Sequence, residues 1–298
     1  MKLRDTSILL VITFVLGSGA AQAKPVQLEH DNLQLNAELV QADGSSLEKG
    51  VVLMVHGTLA HGQMEIMKGL QNVFREYGIN SLAINLSLGQ SDRHGMYDCA
   101  DTHRHKHTDA LDEIGLWLNW LKSQGAQNIT LLGHSRGGNQ AAWFAAENDD
   151  PQLRRVTLIA PQMWDMKYER KNYKERYGTA LQAVFDRAKK LVEQGKGDTL
   201  LDKTDFIYCE DTSVSAESFV NYYTDDKRKD TPALLRQINE PVLVIAGSED
   251  TVVKGLAKRV EPLADGEAVQ LVVIQGADHM FRDLYLYDIV ENVQTFLE

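Results

Sequence analysis

The chain of 298 residues is 43% hydrophobic and 24% charged, which suits a folded protein with a large core. Its 42 acidic residues exceed its 31 Lys and Arg, for a formal net charge of −11. That balance argues against nucleic acid and against an anionic membrane surface as partners, because both carry charge of the same sign.

The N-terminal segment reads as a leader and not as part of the fold. Lys2 and Arg4 precede a short apolar run over residues 8–16, and Ala21-Gln22-Ala23 follows as a small-residue cleavage site. The run is too short to span a bilayer. The pattern predicts removal of residues 1–23, a chain beginning at Lys24, and export to the periplasm or the medium with no stable membrane insertion.

Residues 26–28 and 33–40 alternate apolar and polar side chains about Asp31-Asn32, which predicts an antiparallel hairpin. Residues 50–55 form a continuous apolar run of strand length, as in a strand covered on both faces, and His56-Gly57-Thr58 follows. Over 63–77 the apolar residues Ile66, Met67, Leu70, Val73 and Phe74 recur at helical spacing, closed by Gly78. A strand is predicted over 79–86, a long polar loop from Gly89, and an amphipathic helix over 110–121. A strand over 129–133, a helix over 139–147 and a strand over 156–160 come next. Strands over 241–247 and 269–274 and a helix over 285–297 complete the chain. Alternating strands and helices predict an α/β fold: a mostly parallel central sheet with helices on both faces.

Residues 162–237 break the alternation. They hold no convincing buried strand, but helical stretches over 177–193 and 215–223 with many Tyr. The segment lies between two core strands, on the C-terminal edge of the sheet, where open α/β sheets bind ligands. It is predicted to be a helical cap. The expected organisation is a leader (1–23), a core in two parts (24–161 and 238–298) and a cap (162–237).

Between the strand at 129–133 and the helix after it stands Gly133-His134-Ser135-Arg136-Gly137-Gly138. A sharp strand-to-helix turn needs small residues on both sides of the serine, and it lifts the hydroxyl out of the backbone beside the exposed N–H groups of a helix start. A serine nucleophile needs a base, and the base an orienting carboxylate. Gly247-Ser248-Glu249-Asp250 follows one later strand and supplies Asp250, in competition with Glu249 and Asp278. Gly276-Ala277-Asp278-His279 follows the last strand and supplies His279.

Four such segments in this order resemble the α/β-hydrolase fold superfamily over nearly all of the chain beyond the leader. The resemblance implies Ser135 as nucleophile, Asp250 as acid and His279 as base, with the backbone N–H groups of Arg136 and of Thr58 (or Leu59) as an oxyanion hole. His56, Leu59 and His134 would border the substrate pocket. It further implies a serine hydrolase that cleaves an ester or related acyl bond of a small molecule through an acyl-enzyme, without a cofactor; that it is exported is implied by the leader. An amidase, peptidase or acyltransferase would use the same residues, and a non-catalytic binding protein is the alternative of another class.

His94, His103, His105 and His107 cluster in the loop before the helix at 110, with Asp98, Asp101 and Asp109 among them. Imidazole and carboxylate suit zinc, but the spacing matches no firm metal motif. No metal is expected, and the loop is read as a polar rim at the mouth of the site. Export would permit a disulfide between Cys99 and Cys209, fastening this loop to the cap; the reduced pair fits the sequence equally well.

Overall fold

The computed structural model describes residues 23–298. The expected leader lies outside the described residues, apart from Ala23. The central sheet contains β1 (Lys24–His30), β2 (Leu33–Val40), β3 (Val51–Val55), β4 (Asn80–Asn85), β5 (Ile129–His134), β6 (Leu153–Ile159), β9 (Val242–Gly247) and β10 (Val269–Ile274). Their spatial order is β1-β2-β4-β3-β5-β6-β9-β10. The β1–β2 and β2–β4 pairs are antiparallel, and every pairing from β4 to β10 is parallel.

Every residue of β3, β4 and β5 is buried, as strands sandwiched between helices require. The helices of the core are α1 (Glu65–Glu76), α2 (Asp109–Ser123), α3 (Arg136–Glu147), α7 (Thr231–Leu234), α8 (Leu256–Val260) and α9 (Tyr285–Leu297), with α4 to α6 in the cap. Helix α1 packs on α9, and α2 on α3. Trp117, Phe74, Leu53 and Met54 are fully enclosed in this core. Each such side chain contributes roughly 1.5–3 kcal/mol by leaving water. Among the described residues no helix is long and apolar enough to cross a membrane.

The cap contains α4 (Met166–Tyr177), α5 (Leu181–Glu193), β7 (Leu200–Phe206), β8 (Cys209–Ser215) and α6 (Ala216–Tyr223). It has its own apolar cluster, with Tyr173, Leu181, Phe206, Val214, Phe219, Tyr222 and Tyr223 at its centre. Three features depart from the sequence reading. The antiparallel β7–β8 hairpin was not expected. Its strands are rich in Asp, Thr and Ser, and only Leu201, Thr204 and Phe206 of β7 are buried, too sparse a pattern to signal a strand. The helix expected over 177–193 starts only at Leu181, and α4, a helix that was not expected, stands before it and is ended by Gly178 at φ 72°. Residues 231–237 belong with the core and not the cap, since α7 packs on α3 and Leu234 and Leu235 join the main apolar cluster.

Candidate active site

The turn between β5 and α3 is set by steric exclusion. A Cβ on Gly133 would run into the carbonyl oxygen of Gly137, and one on Gly137 into that of His56. The close approach of strand, turn and helix forces Ser135 to φ 57°, ψ −121°, a conformation that costs a non-glycine residue about 1–3 kcal/mol. Helix α3 begins at Arg136, three residues before the sequence reading placed it.

The structure brings Ser135, His279 and Asp250 together. His279 Nε2 lies 3.0 Å from Ser135 Oγ, and His279 Nδ1 lies 2.8 Å from Asp250 Oδ2. The two side chains of the His279–Asp250 pair are 13% and 4% exposed. Asp250 Oδ1 also accepts from the amides of Val252 and Val253, at 2.7 and 3.0 Å. Burial alone would raise the Asp250 pKa; the hydrogen bonds from His279 and from the Val253 and Val252 amides outweigh it and hold the carboxyl below its usual range. Of the competing acids, Glu249 is exposed, and Asp278 Oδ1 accepts from the amides of Met280 and Phe281.

No hydrogen bond among the described residues takes the backbone N–H of Thr58 or Arg136. Thr58 is shaped by its neighbours. His56 Nδ1–H donates to the Gly57 carbonyl at 2.9 Å, and its Nε2 accepts from the Leu86 amide at 3.1 Å. Burial, with the Arg93 charge beside it, pushes the His56 pKa down to about 3, so the ring is neutral. Arg93 ties the same segment down by donating to the carbonyls of Ala60 and Leu86, each at 2.8 Å. Neither the periodicity nor the motifs had singled out Arg93. A buried arginine in a polar loop leaves no sequence signal until its acceptors are known.

A cavity of about 300 Å³ opens between the turn and the cap, and Ser135, Thr58, Arg136, Trp164, Glu169 and Tyr222 help to line it. His56, Leu59 and His134, expected at the pocket, do not line it; they are 0%, 6% and 2% exposed and pack within the protein. His134 instead donates from Nε2 to the main-chain carbonyl of His279 at 2.9 Å. Burial lowers its pKa to about 4 and keeps it neutral.

Three of the four loop histidines, His103, His105 and His107, are buried and do not form a rim. His103 Nδ1 lies 3.1 Å from His105 Nε2, and His105 Nδ1 lies 2.8 Å from the Tyr222 hydroxyl. The His103 amide donates to Ser213 O at 2.8 Å and the Ser215 amide to His103 O at 2.9 Å, so the loop runs along β8. Cys99 and Cys209 are joined in a disulfide that fastens loop to hairpin. His94 stands apart, exposed, 3.2 Å from Asp92. Among the described residues no group of three or more His, Cys, Asp or Glu is placed to hold a metal ion.

Strand order, the turn and the placement of these residues define an α/β-hydrolase architecture. The model of the α/β hydrolase fold family matches residues 50–203, and the chain belongs to that family. It is similar to the solved structure of Est1E from Butyrivibrio proteoclasticus, at 16% identity and TM-score 0.62, over 92% of this chain and 97% of that one. It is also similar to the esterase Pf2001 of Pyrococcus furiosus (18%, TM-score 0.57, 93% and 92%). The esterase domain of a Rhodothermus marinus protein is a further likeness (16%, TM-score 0.58, 92% and 97%). At these identities the likeness is one of fold. No curated protein matches the sequence.

Proposed function

We propose that the chain is an exported serine hydrolase that cleaves an ester or related acyl bond of a small molecule. The observation that carries this reading is the continuous hydrogen-bonded series Ser135 Oγ, His279 Nε2, His279 Nδ1, Asp250 Oδ2, at 3.0 and 2.8 Å. His279 accepts the Ser135 proton at Nε2 as Oγ attacks the carbonyl carbon. Asp250 keeps the proton on Nδ1 and stabilises the imidazolium. The amides of Arg136 and Thr58 receive the developing oxyanion. His279 returns the proton to the leaving alcohol, and the acyl group stays on Ser135. A water deprotonated by His279 then releases the acid and restores the enzyme.

The esterase names carried by the similar structures agree with this chemistry, and the Cys99–Cys209 disulfide agrees with an oxidising compartment. The test is labelling by a fluorophosphonate probe, with peptide mapping of the adduct. Labelling at Ser135 that vanishes in Ser135→Ala, together with hydrolysis of short-chain esters, is the expected result. A folded sample that stays unlabelled refutes it.

A further inference from the structure

The cavity beside Ser135 is lined by more cationic than acidic side chains, in a chain that is acidic overall. Arg136 and Arg176 line it against a single Asp or Glu, Glu169. Neither guanidinium lies within 4.0 Å of a carboxylate oxygen among the described residues. Arg176 is exposed, with its guanidinium 4.7 Å from the Tyr208 ring centre. Arg136 is held more firmly. Its Nε–H donates to Thr58 Oγ1 at 2.9 Å, and Nη1–H donates to His107 Nδ1 at 3.3 Å. The Tyr222 ring centre lies 5.1 Å from its central carbon.

His107 makes this anchor directional. It is fully buried, and its Nε2–H donates to Asn139 Oδ1 at 2.9 Å, which leaves Nδ1 as the acceptor for Arg136. A guanidinium has N–H groups to spare after two hydrogen bonds, and those of Nη2 make none among the described residues. A planar cation, oriented by buried groups and in direct contact with no carboxylate among the described residues, matches a carboxylate better than any neutral group.

We propose that the cavity selects an ester whose acyl chain ends in a carboxylate, and that Arg136 binds that carboxylate. This rests on the serine hydrolase reading above. Arg136 follows Ser135 in the chain and lines the same cavity, so an anion held by its side chain lies near the serine, and it is assigned to the acyl portion that remains there. The cavity of about 300 Å³ limits that chain to a short one. Glu169 opposes the anion and sharpens the choice, since a carboxylate that does not reach Arg136 meets repulsion instead.

The experiment compares kcat/KM for monoethyl adipate and ethyl hexanoate, which share chain length and leaving group, by pH-stat at low salt. The expected anionic-to-neutral ratio exceeds about tenfold, the effect of one charge-assisted hydrogen bond, and it shrinks as salt is added. In Arg136→Gln the ratio falls by about tenfold or more, and in Glu169→Gln it rises. A wild-type ratio at or below one overturns the proposal, as does a ratio unchanged in Arg136→Gln. If Arg136→Gln does not fold, the wild-type ratio and its direction of change in Glu169→Gln decide. Hydrolysis of neither ester by protein labelled at Ser135 overturns this substrate class and leaves the hydrolase reading in place; failure of labelling overturns both.

Discussion

His134 and His279 are joined through the main chain: Nε2–H of the first donates to the carbonyl oxygen of the second at 2.9 Å, with ring centres 4.9 Å apart. The residue before Ser135 thus fixes the loop that presents the His279 ring to Ser135. In His134→Leu the carbonyl loses its donor in a buried setting, and stability falls by about 1–3 kcal/mol. Denaturant unfolding reads this. In ester hydrolysis the same variant lowers kcat and leaves KM little changed, because the substrate cavity does not include His134.

The strained serine gives a second prediction. At φ 57° an alanine is no better accommodated than serine, whereas glycine is. Ser135→Gly is expected to be more stable than Ser135→Ala by about 1 kcal/mol, and both are inactive. Equal midpoints in urea contradict this.

Close packing at the turn gives a third. A methyl group at residue 137 meets the backbone of Val55 and His56, which cannot step aside without breaking β3. Gly137→Ala is expected to lose about 1–3 kcal/mol or more, and to drop hydrolysis below detection. Unfolding and kinetic measurements on one preparation check it.

The disulfide couples loop and cap across 110 residues of sequence. Replacing both cysteines by serine is expected to cost about 2–5 kcal/mol, concentrated in the cap. Limited proteolysis of the double variant should cut within 162–230 before the core. Cleavage unchanged from wild type refutes the local assignment.

Buried neutral histidines make stability fall with acid. Burial lowers His56 to about 3 and His103 and His134 to about 4, and places His105 and His107 well below 6.5. Their folded pKa values are depressed, so their contribution is complete above the unfolded value near 6.5 and is lost as pH falls toward 4. Glu113 has the opposite sign: burial raises it to about 7, so its contribution fades as pH rises from 4.5 through 7. Burial also raises Asp109, Glu169, Glu240 and Glu38, by less, and the larger histidine shifts set the sign. The urea midpoint should drop between pH 6.5 and 4.5, and a flat or rising midpoint there refutes the prediction.

The sequence by itself determined the strand-and-helix alternation, the turn at Ser135, and a carboxylate loop at 249–250 and a histidine loop at 278–279 after later strands, in that order. Those are local properties: apolar runs, glycine spacing and turn chemistry act over a few residues and are readable in place. The tertiary structure alone decided that Asp250, and neither Glu249 nor Asp278, meets His279, because the choice depends on where two loops 29 residues apart converge. It alone buried His103, His105 and His107 and placed His134 behind His279. It built the Arg136 site from Thr58, His107 and Tyr222, which stand 78, 29 and 86 positions away in the chain. It also paired two polar strands in the cap, whose few apolar residues find partners only once the hairpin is closed. Such contacts rest on the closure of long loops and on shape. Neither leaves a period in the sequence.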